Sequence, residues 1–249
     1  MLSPEIIKKI KKVHIKTGRM VNTVMAGQYR SIFRGEGIEF EEVREYSPGD
    51  DVKSIDWKVS ARMGKPFIKR YREEREQVVM LLVDMSASGH FGTTDTLKRE
   101  TAAEIAAILA FNAIRNNDKA GAILFTDRVE RYIPPKKGSA HVWRLIREIF
   151  TFQPEHTGTD IVEAAGFLAR VCRKRSVAFL ISDFLAENFA RGTTLRIKSA
   201  GRKHELISVL VTDPGEFDLP AGGIIALHDL ENGAVRYLDA SDRTTRERF

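Results

Sequence analysis

A mainly parallel α/β sheet with helices on both faces, preceded by a β-rich extension, is the fold class this sequence predicts, and three observations carry it. After Gln77 the chain alternates short apolar runs with longer helical patterns. The runs VVMLLVDMS, AGAILFTDRV and SVAFLISDF are apolar at successive rather than alternate positions, as strands covered on both sides require. Between Gly35 and Gln77, by contrast, hydrophobics are sparse, and turn signals stand at Ser47-Pro48-Gly49-Asp50 and Met63-Gly64-Lys65-Pro66. Residues 1–76 are therefore assigned to an N-terminal helix and basic β-rich extension, and residues 77–249 to the α/β domain.

The elements follow in order. The opening SPEIIKKIKKVHIKTG offers Ser3 as a cap, Pro4 at the first helical position, and Ile6, Ile10 and Val13 on one face among lysines. This is a short basic amphipathic helix, expected to dock its apolar stripe on its own domain rather than on a membrane. Gly35 to Gln77 reads as short antiparallel strands joined by turns, with too little apolar content for a core of its own. VVMLLVDMS is then a buried strand, and TLKRETAAEIAAILAFNAIRNN a long helix ended by Asn116, Asn117 and Asp118. AGAILFTDRV is a strand, RYIPPKK a short edge strand, and HVWRLIREIFTF and DIVEAAGFLARVCRK are helices. SVAFLISDF and ELISVLVTDP are strands with the helix TLRIKSAGRKH between them. IIALHDLENGAVRYLDA is a hairpin around Asn232-Gly233, and Ser241 stands where a helix cap would.

Composition excludes several classes. A chain of 249 residues with 43% hydrophobic content can bury a sizeable core. Its single cysteine, Cys172, rules out an internal disulfide framework and a cysteine-only zinc site, which fits a reducing compartment, so a cytoplasmic location is expected. No apolar run approaches the ~20 residues that span a bilayer. The 40 basic residues exceed the 34 acidic ones by six, which favours acidic partners, but the two signs are interleaved along the chain and so describe a solvated surface equally well. Asp56, Trp57, Arg62, Lys69, Arg70, Arg72 and Arg75 could form a basic docking face; they could equally be the wet side of strands packed through Trp57, Phe67 and Tyr71.

In an open α/β sheet, ligands gather beyond the carboxyl ends of the strands. There the sequence places Asp84, Ser86 and Ser88 after the first strand, Asp183 after SVAFLIS, and Thr157, Thr159 and Asp160 in the helix-entering loop EHTGTD. Two carboxylates with several hydroxyls form a hard-oxygen set suited to Mg²⁺, Mn²⁺ or Ca²⁺ and poorly suited to zinc. Three hydroxyls and two carboxylates leave at least one octahedral position of a divalent ion to water. Such an ion can accept a further carboxylate from another protein.

The stretch LLVDMSASG resembles the first loop of the metal ion-dependent adhesion site of von Willebrand factor A-type domains. The resemblance implies Asp84, Ser86 and Ser88 in the first loop, Thr159 in the second and Asp183 in the third. It favours Thr159 over Thr157, because the family threonine precedes a helix with small residues about five positions on, as Ala164 and Ala165 are here. Upstream, REYSPGDDVKSIDWKVSARMGKPFIKRYREERE is similar to the signature of the bacterial family called domain of unknown function 58, in which it leads into a von Willebrand factor A-like domain. Membership implies action beside MoxR-type AAA+ ATPases in assembling or activating client proteins. Many relatives carry transmembrane helices and more C-terminal helix than this chain.

Rival chemistries fail on motif. A haloacid dehalogenase-type phosphatase needs a second acid two residues after its aspartate, where this chain has Ser86, and neither Ser86 nor Ser88 has the preceding glycine of a serine hydrolase. There is no GxxxxGK[ST] loop, and Gly35-x-Gly37 lacks a third glycine. The six histidines show no HExxH spacing, though His90 and His156 flank the proposed loops. Nucleic-acid binding has the basic pI near 9.4 in its favour but no recognisable nucleic-acid motif. The expectation is thus a non-catalytic, metal-dependent adaptor.

Overall fold

The computed structural model describes residues 39–72, 77–185, 193–217, 219, 222–231 and 233–248. The amphipathic helix expected at Ser3–Gly18 lies outside the described residues, as do the side chains of Arg70, Tyr71, Arg72 and Arg75. The chain divides into two units, one ending at Gln77 and the other resuming at Val78.

In the first unit, β1 (Glu39–Glu45) and β2 (Phe67–Arg72) pair antiparallel, with Glu45 opposite Phe67. Between them the sequence reading expects only strands and turns, but the chain forms helix α1 (Trp57–Met63). The reason is local. The Asp56 carboxylate accepts from Lys58 N and Val59 N at 3.0 and 3.3 Å, an N-cap that satisfies two orphan amides. Gly64 then takes a left-handed conformation, φ 68°, and its N–H closes on Ser60 O at 3.0 Å, so Gly64 of the supposed turn is a helix C-cap. Lys69 on β2 pairs with Asp56 at 3.1 Å, while Trp57 remains 69% exposed.

The second unit is built on a five-stranded sheet of order β5-β4-β3-β6-β7. Its strands are β3 (Val78–Asp84), β4 (Lys119–Phe125), β5 (Val129–Lys136), β6 (Val177–Ser182) and β7 (Glu205–Leu210). All pairings are parallel except β4–β5, and β5, with its two prolines, is the edge strand expected. The helices are α2 (Lys98–Arg115), α3 (Ser139–Thr151), α4 (Ile161–Val171) and α5 (Thr193–Lys203). The fold is thus the expected mainly parallel α/β sheet flanked by helices.

Strand alternation explains the two-sided apolar runs. Met80, Leu82, Ile123, Phe125, Ala178 and Leu180 point to one face, where Ile161, Ala164 and Leu168 of α4 cover them. The opposite parity, Leu81, Val83, Ala122 and Leu124, is equally buried, and α2 packs against β3 and β4. Each large side chain so removed from water contributes ~1.5–3 kcal/mol. On α2 the alanines 102, 103, 106, 107, 110 and 113 are buried, and their small size lets the helix approach the sheet closely.

Beyond the sheet, β8 (Ile224–His228) and β9 (Val235–Asp239) form a separate antiparallel hairpin. The hairpin was readable from its turn signal, but Gly233, φ 73°, closes a longer connection, 229–234, in which its N–H donates to Asp229 O at 2.9 Å. The final helix α6 (Arg243–Arg248) is capped by Asp242, which accepts from Thr244 N at 3.3 Å. Ser241, the cap expected from sequence, instead donates its N–H and hydroxyl to Asp239. No helix among the described residues is long and apolar enough to cross a membrane.

Candidate metal centre

The sheet order has its switch point at the centre: the chain leaves β3 toward β4 on one side and later returns to β6 on the other. Beyond the carboxyl ends of such a strand pair the connections diverge and leave a crevice. Asp84 ends β3 and Ser182 ends β6, so the crevice is bordered from the outset by a carboxylate and a hydroxyl.

Asp84 is buried and hydrogen-bonded through both oxygens. One oxygen accepts from Ser86 N at 2.9 Å and the other from Ser182 Oγ at 2.6 Å. Burial pushes its pKa above the ordinary carboxylate value, against the opposing pull of those hydrogen bonds. Ser86 precedes a short 3₁₀ turn, Ala87–His90, yet its side chain makes no cap. Its hydroxyl lies instead 3.0 Å from that of Ser88, so the two oxygens share one concavity.

The second loop is fastened to the first through the backbone. Ala87 N donates to Thr157 O at 2.9 Å, and Asp160 N to Thr126 O at 2.8 Å, before Asp160 caps α4 by accepting from Glu163 N. Glu130 holds the same loop from the β4–β5 side, accepting from Thr126 Oγ1 at 2.7 Å, His156 N at 3.0 Å and Glu155 N at 2.7 Å. Of the two threonines left open by spacing alone, Thr159 is buried and Thr157 exposed. Thr159 Oγ1 donates to Glu231 Oε1 at 2.7 Å, and Thr157 Oγ1 to the carbonyl of Glu231 at 3.1 Å.

Asp183 accepts from Leu185 N at 3.1 Å and from the Lys98 ammonium at 2.7 Å. Lys98, at the start of α2 and almost wholly buried, also contacts Glu216. Burial draws its pKa down, but the hydrogen bonds to Asp183 and Glu216 outweigh that and hold it above the ordinary lysine value. Glu216 is itself placed by a capping box: Asp213 accepts from Gly215 N, and Glu216 accepts from Asp213 N at 3.0 Å.

The five residues singled out in the sequence border two adjoining recesses. Asp84, Ser86, Ser88 and Asp183 line the smaller; Ser88 and Thr159 line a cleft of about 500 Å³ shared with Phe91, Leu185 and Glu231. Ser88 and Lys98 belong to both. His90 and His156 line neither. Sequence reasoning missed Ser182, Lys98, Glu216 and Glu231. Ser182 carried a signal, a hydroxyl immediately before Asp183 at a strand end. Lys98 is hidden in a helical pattern, and the two glutamates come from loops with no diagnostic spacing.

The Lys98 ammonium contacts Asp183 and Glu216, while Asp84 and Asp183 repel the Glu231 carboxylate. Among the described residues, no three His, Cys, Asp or Glu side chains are grouped to hold a metal. Asp84, Asp183, Ser86, Ser88 and Thr159 offer hard oxygen donors, two of them carboxylates, and the Lys98 ammonium is bonded to one of these, Asp183.

The family described as Protein of unknown function DUF58 matches residues 42–249. An uncharacterized protein of Mycobacterium bovis is 32% identical over 236 residues, covering 94% of this chain and 73% of the relative. Among solved structures, an aerotolerance-related membrane protein from Bacteroides fragilis is 21% identical with a TM-score of 0.48, covering 66% of this chain and 82% of that one. The SpRpn10 VWA domain is 12% identical with a TM-score of 0.35, covering 55% and 89%.

Proposed function

We propose, since the chain belongs to the DUF58 family of proteins of unknown function, that it is a non-catalytic adaptor that grips a partner protein's carboxylate through a divalent ion. Asp84, Ser86, Ser88, Thr159 and Asp183 would hold the ion, Mg²⁺ or Mn²⁺ before Ca²⁺. The observation that supports this reading is that oxygen-bearing residues from three separate loops, 84–88, 159 and 183, border two recesses that share Ser88. The bound ion would supply an open coordination position for an acidic side chain. The family resemblance makes a MoxR-type AAA+ ATPase, or its client, the partner to test, in the cytoplasm.

An enzyme reading has less support. A haloacid dehalogenase-type nucleophile is followed two residues later by a second acid, where this chain has Ser86.

Thermal unfolding with Mg²⁺ and with Mn²⁺ tests the site. The expected outcome is a midpoint that rises with either ion in the wild type and stays fixed in Asp84→Ala and Ser88→Ala. Equal responses in all three proteins would sink the assignment. Pull-down of a MoxR-type ATPase that EDTA abolishes would support the partner; capture indifferent to EDTA would count against a metal bridge.

A further inference from the structure

A lysine of the chain stands at Asp183, where a bound cation would act. Lys98, the first residue of α2, is held at the crevice through its backbone, whose N–H donates to Phe91 O at 3.0 Å, and its ammonium lies 5.7 Å from the centre of the Phe91 ring. Its side chain is only 4% exposed and lines both recesses. There the ammonium donates to Asp183 Oδ2 at 2.7 Å and also to Glu216. A charge so enclosed persists because it is paired.

The two anchors differ in what surrounds them. Asp183 lines the smaller recess with Asp84, Ser86 and Ser88, and its charge acts repulsively on Asp84, so the two carboxylates of the proposed ion-holding set lie in one field. Glu216 lines the larger cleft and not the smaller recess. Its other oxygen accepts from Asp213 N at 3.0 Å, which fixes the carboxylate independently of Asp183. An ion entering the smaller recess therefore meets an ammonium already bonded to one of its carboxylates. Two cations at one carboxylate repel each other.

Building on the metal-site reading above, we infer that Lys98 is a tethered cation that satisfies Asp183 in the ion-free protein and sets how tightly the ion is taken, by moving from Asp183 to Glu216 as the ion enters. Glu216 is then the receiving carboxylate. The ion-free centre stays paired, and metal uptake is weakened by the ammonium that it displaces.

Mn²⁺ is the probe, read by binding titration, with urea unfolding in EDTA to show that each variant is folded. Lys98→Met removes the charge at similar length and should bind Mn²⁺ roughly tenfold more tightly than wild type. Lys98→Arg keeps the charge and should show no such gain. Glu216→Gln leaves the ammonium to Asp183 alone and should bind roughly tenfold more weakly. A purely structural Lys98–Glu216 pair would instead shift Lys98→Met and Glu216→Gln in the same direction. Combining the two should bind like Lys98→Met alone, because Glu216 acts through the ammonium. If Lys98→Met binds no more tightly than wild type while Asp84→Ala loses the ion, the tethered cation is wrong and the metal site stands. Uptake confined to Lys98→Met, and lost when Asp84→Ala is added, supports the inference and overturns the ion-dependent reading of the native chain. If neither wild type nor Lys98→Met takes up Mn²⁺, the site reading falls and the inference with it.

Discussion

Asp84 is a carboxylate placed where a charge is costly: at the end of the central strand, enclosed, and held by Ser86 N and Ser182 Oγ. Ser182 Oγ is one of them and also accepts from Phe184 N at 3.0 Å, so a single hydroxyl joins the end of β6 to the end of β3. Removing the charge while keeping the shape separates its two roles. Asp84→Asn can still accept from Ser86 N and can donate to Ser182 Oγ. Without added metal it should be more stable than wild type by about 1 kcal/mol in urea denaturation, and it should lose the stabilisation by Mg²⁺. A fall in metal-free stability would mean that the carboxylate is structural. Cys172 offers a second residue-scale check. Burial raises its thiol pKa, so a thiol reagent should react with it slowly in the native protein and at once in denaturant.

Elements were read from sequence wherever their cause was local or periodic. β3, β4 and β6 declared themselves because both faces are covered, and α3 because Val142, Leu145, Ile146 and Ile149 return at helical spacing to one buried stripe. Helix α1 was missed although Asp56 and Gly64 supplied both caps, since its few apolar residues leave no buried stripe to find. The first loop, Asp84-x-Ser86-x-Ser88, is a contiguous motif and could be quoted from the chain, whereas Glu231 and Glu216 reach the crevice only through the hairpin and the turn after β7. The β4–β5 hairpin holds an element-scale prediction. At Gly121 an added Cβ would stand 2.8 Å from Ile133 O and Pro135 N and 2.9 Å from Met80 Sδ. Two of those three atoms are backbone and cannot swing away. Gly121→Ala should therefore lower unfolding stability by ~1–3 kcal/mol, and an unchanged midpoint would show that the edge strand yields freely.

At the scale of the whole molecule, two carboxylates outside the proposed ligand set knit together loops that are distant in sequence. Asp213, after β7, accepts from the N–H of Thr93 at 3.0 Å and from its hydroxyl, joining the β7 end to the loop that enters α2. Glu130 joins the β4–β5 turn to the loop before α4. The Thr93 hydroxyl leads the interactions that depress the Asp213 pKa below its ordinary 3.8. For Glu130, burial works upward, but the Glu155 and His156 amides and the Thr126 hydroxyl prevail and hold the group below 4.5. A carboxylate with a depressed folded pKa adds stability that is fully present above its unfolded value and is lost as pH falls through the folded one. Both groups therefore act in the same direction, and their contribution should begin to fall as pH nears the ordinary carboxylate range and be gone only below their depressed folded pKa values. Asp84 acts in the opposite direction, because its raised pKa lets the folded state take up a proton first as pH falls. Urea midpoints of wild type and of the Glu130→Gln, Asp213→Asn double variant should accordingly differ at neutral pH and converge on acidification. Parallel curves over that range would show that neither carboxylate holds its loop through charge.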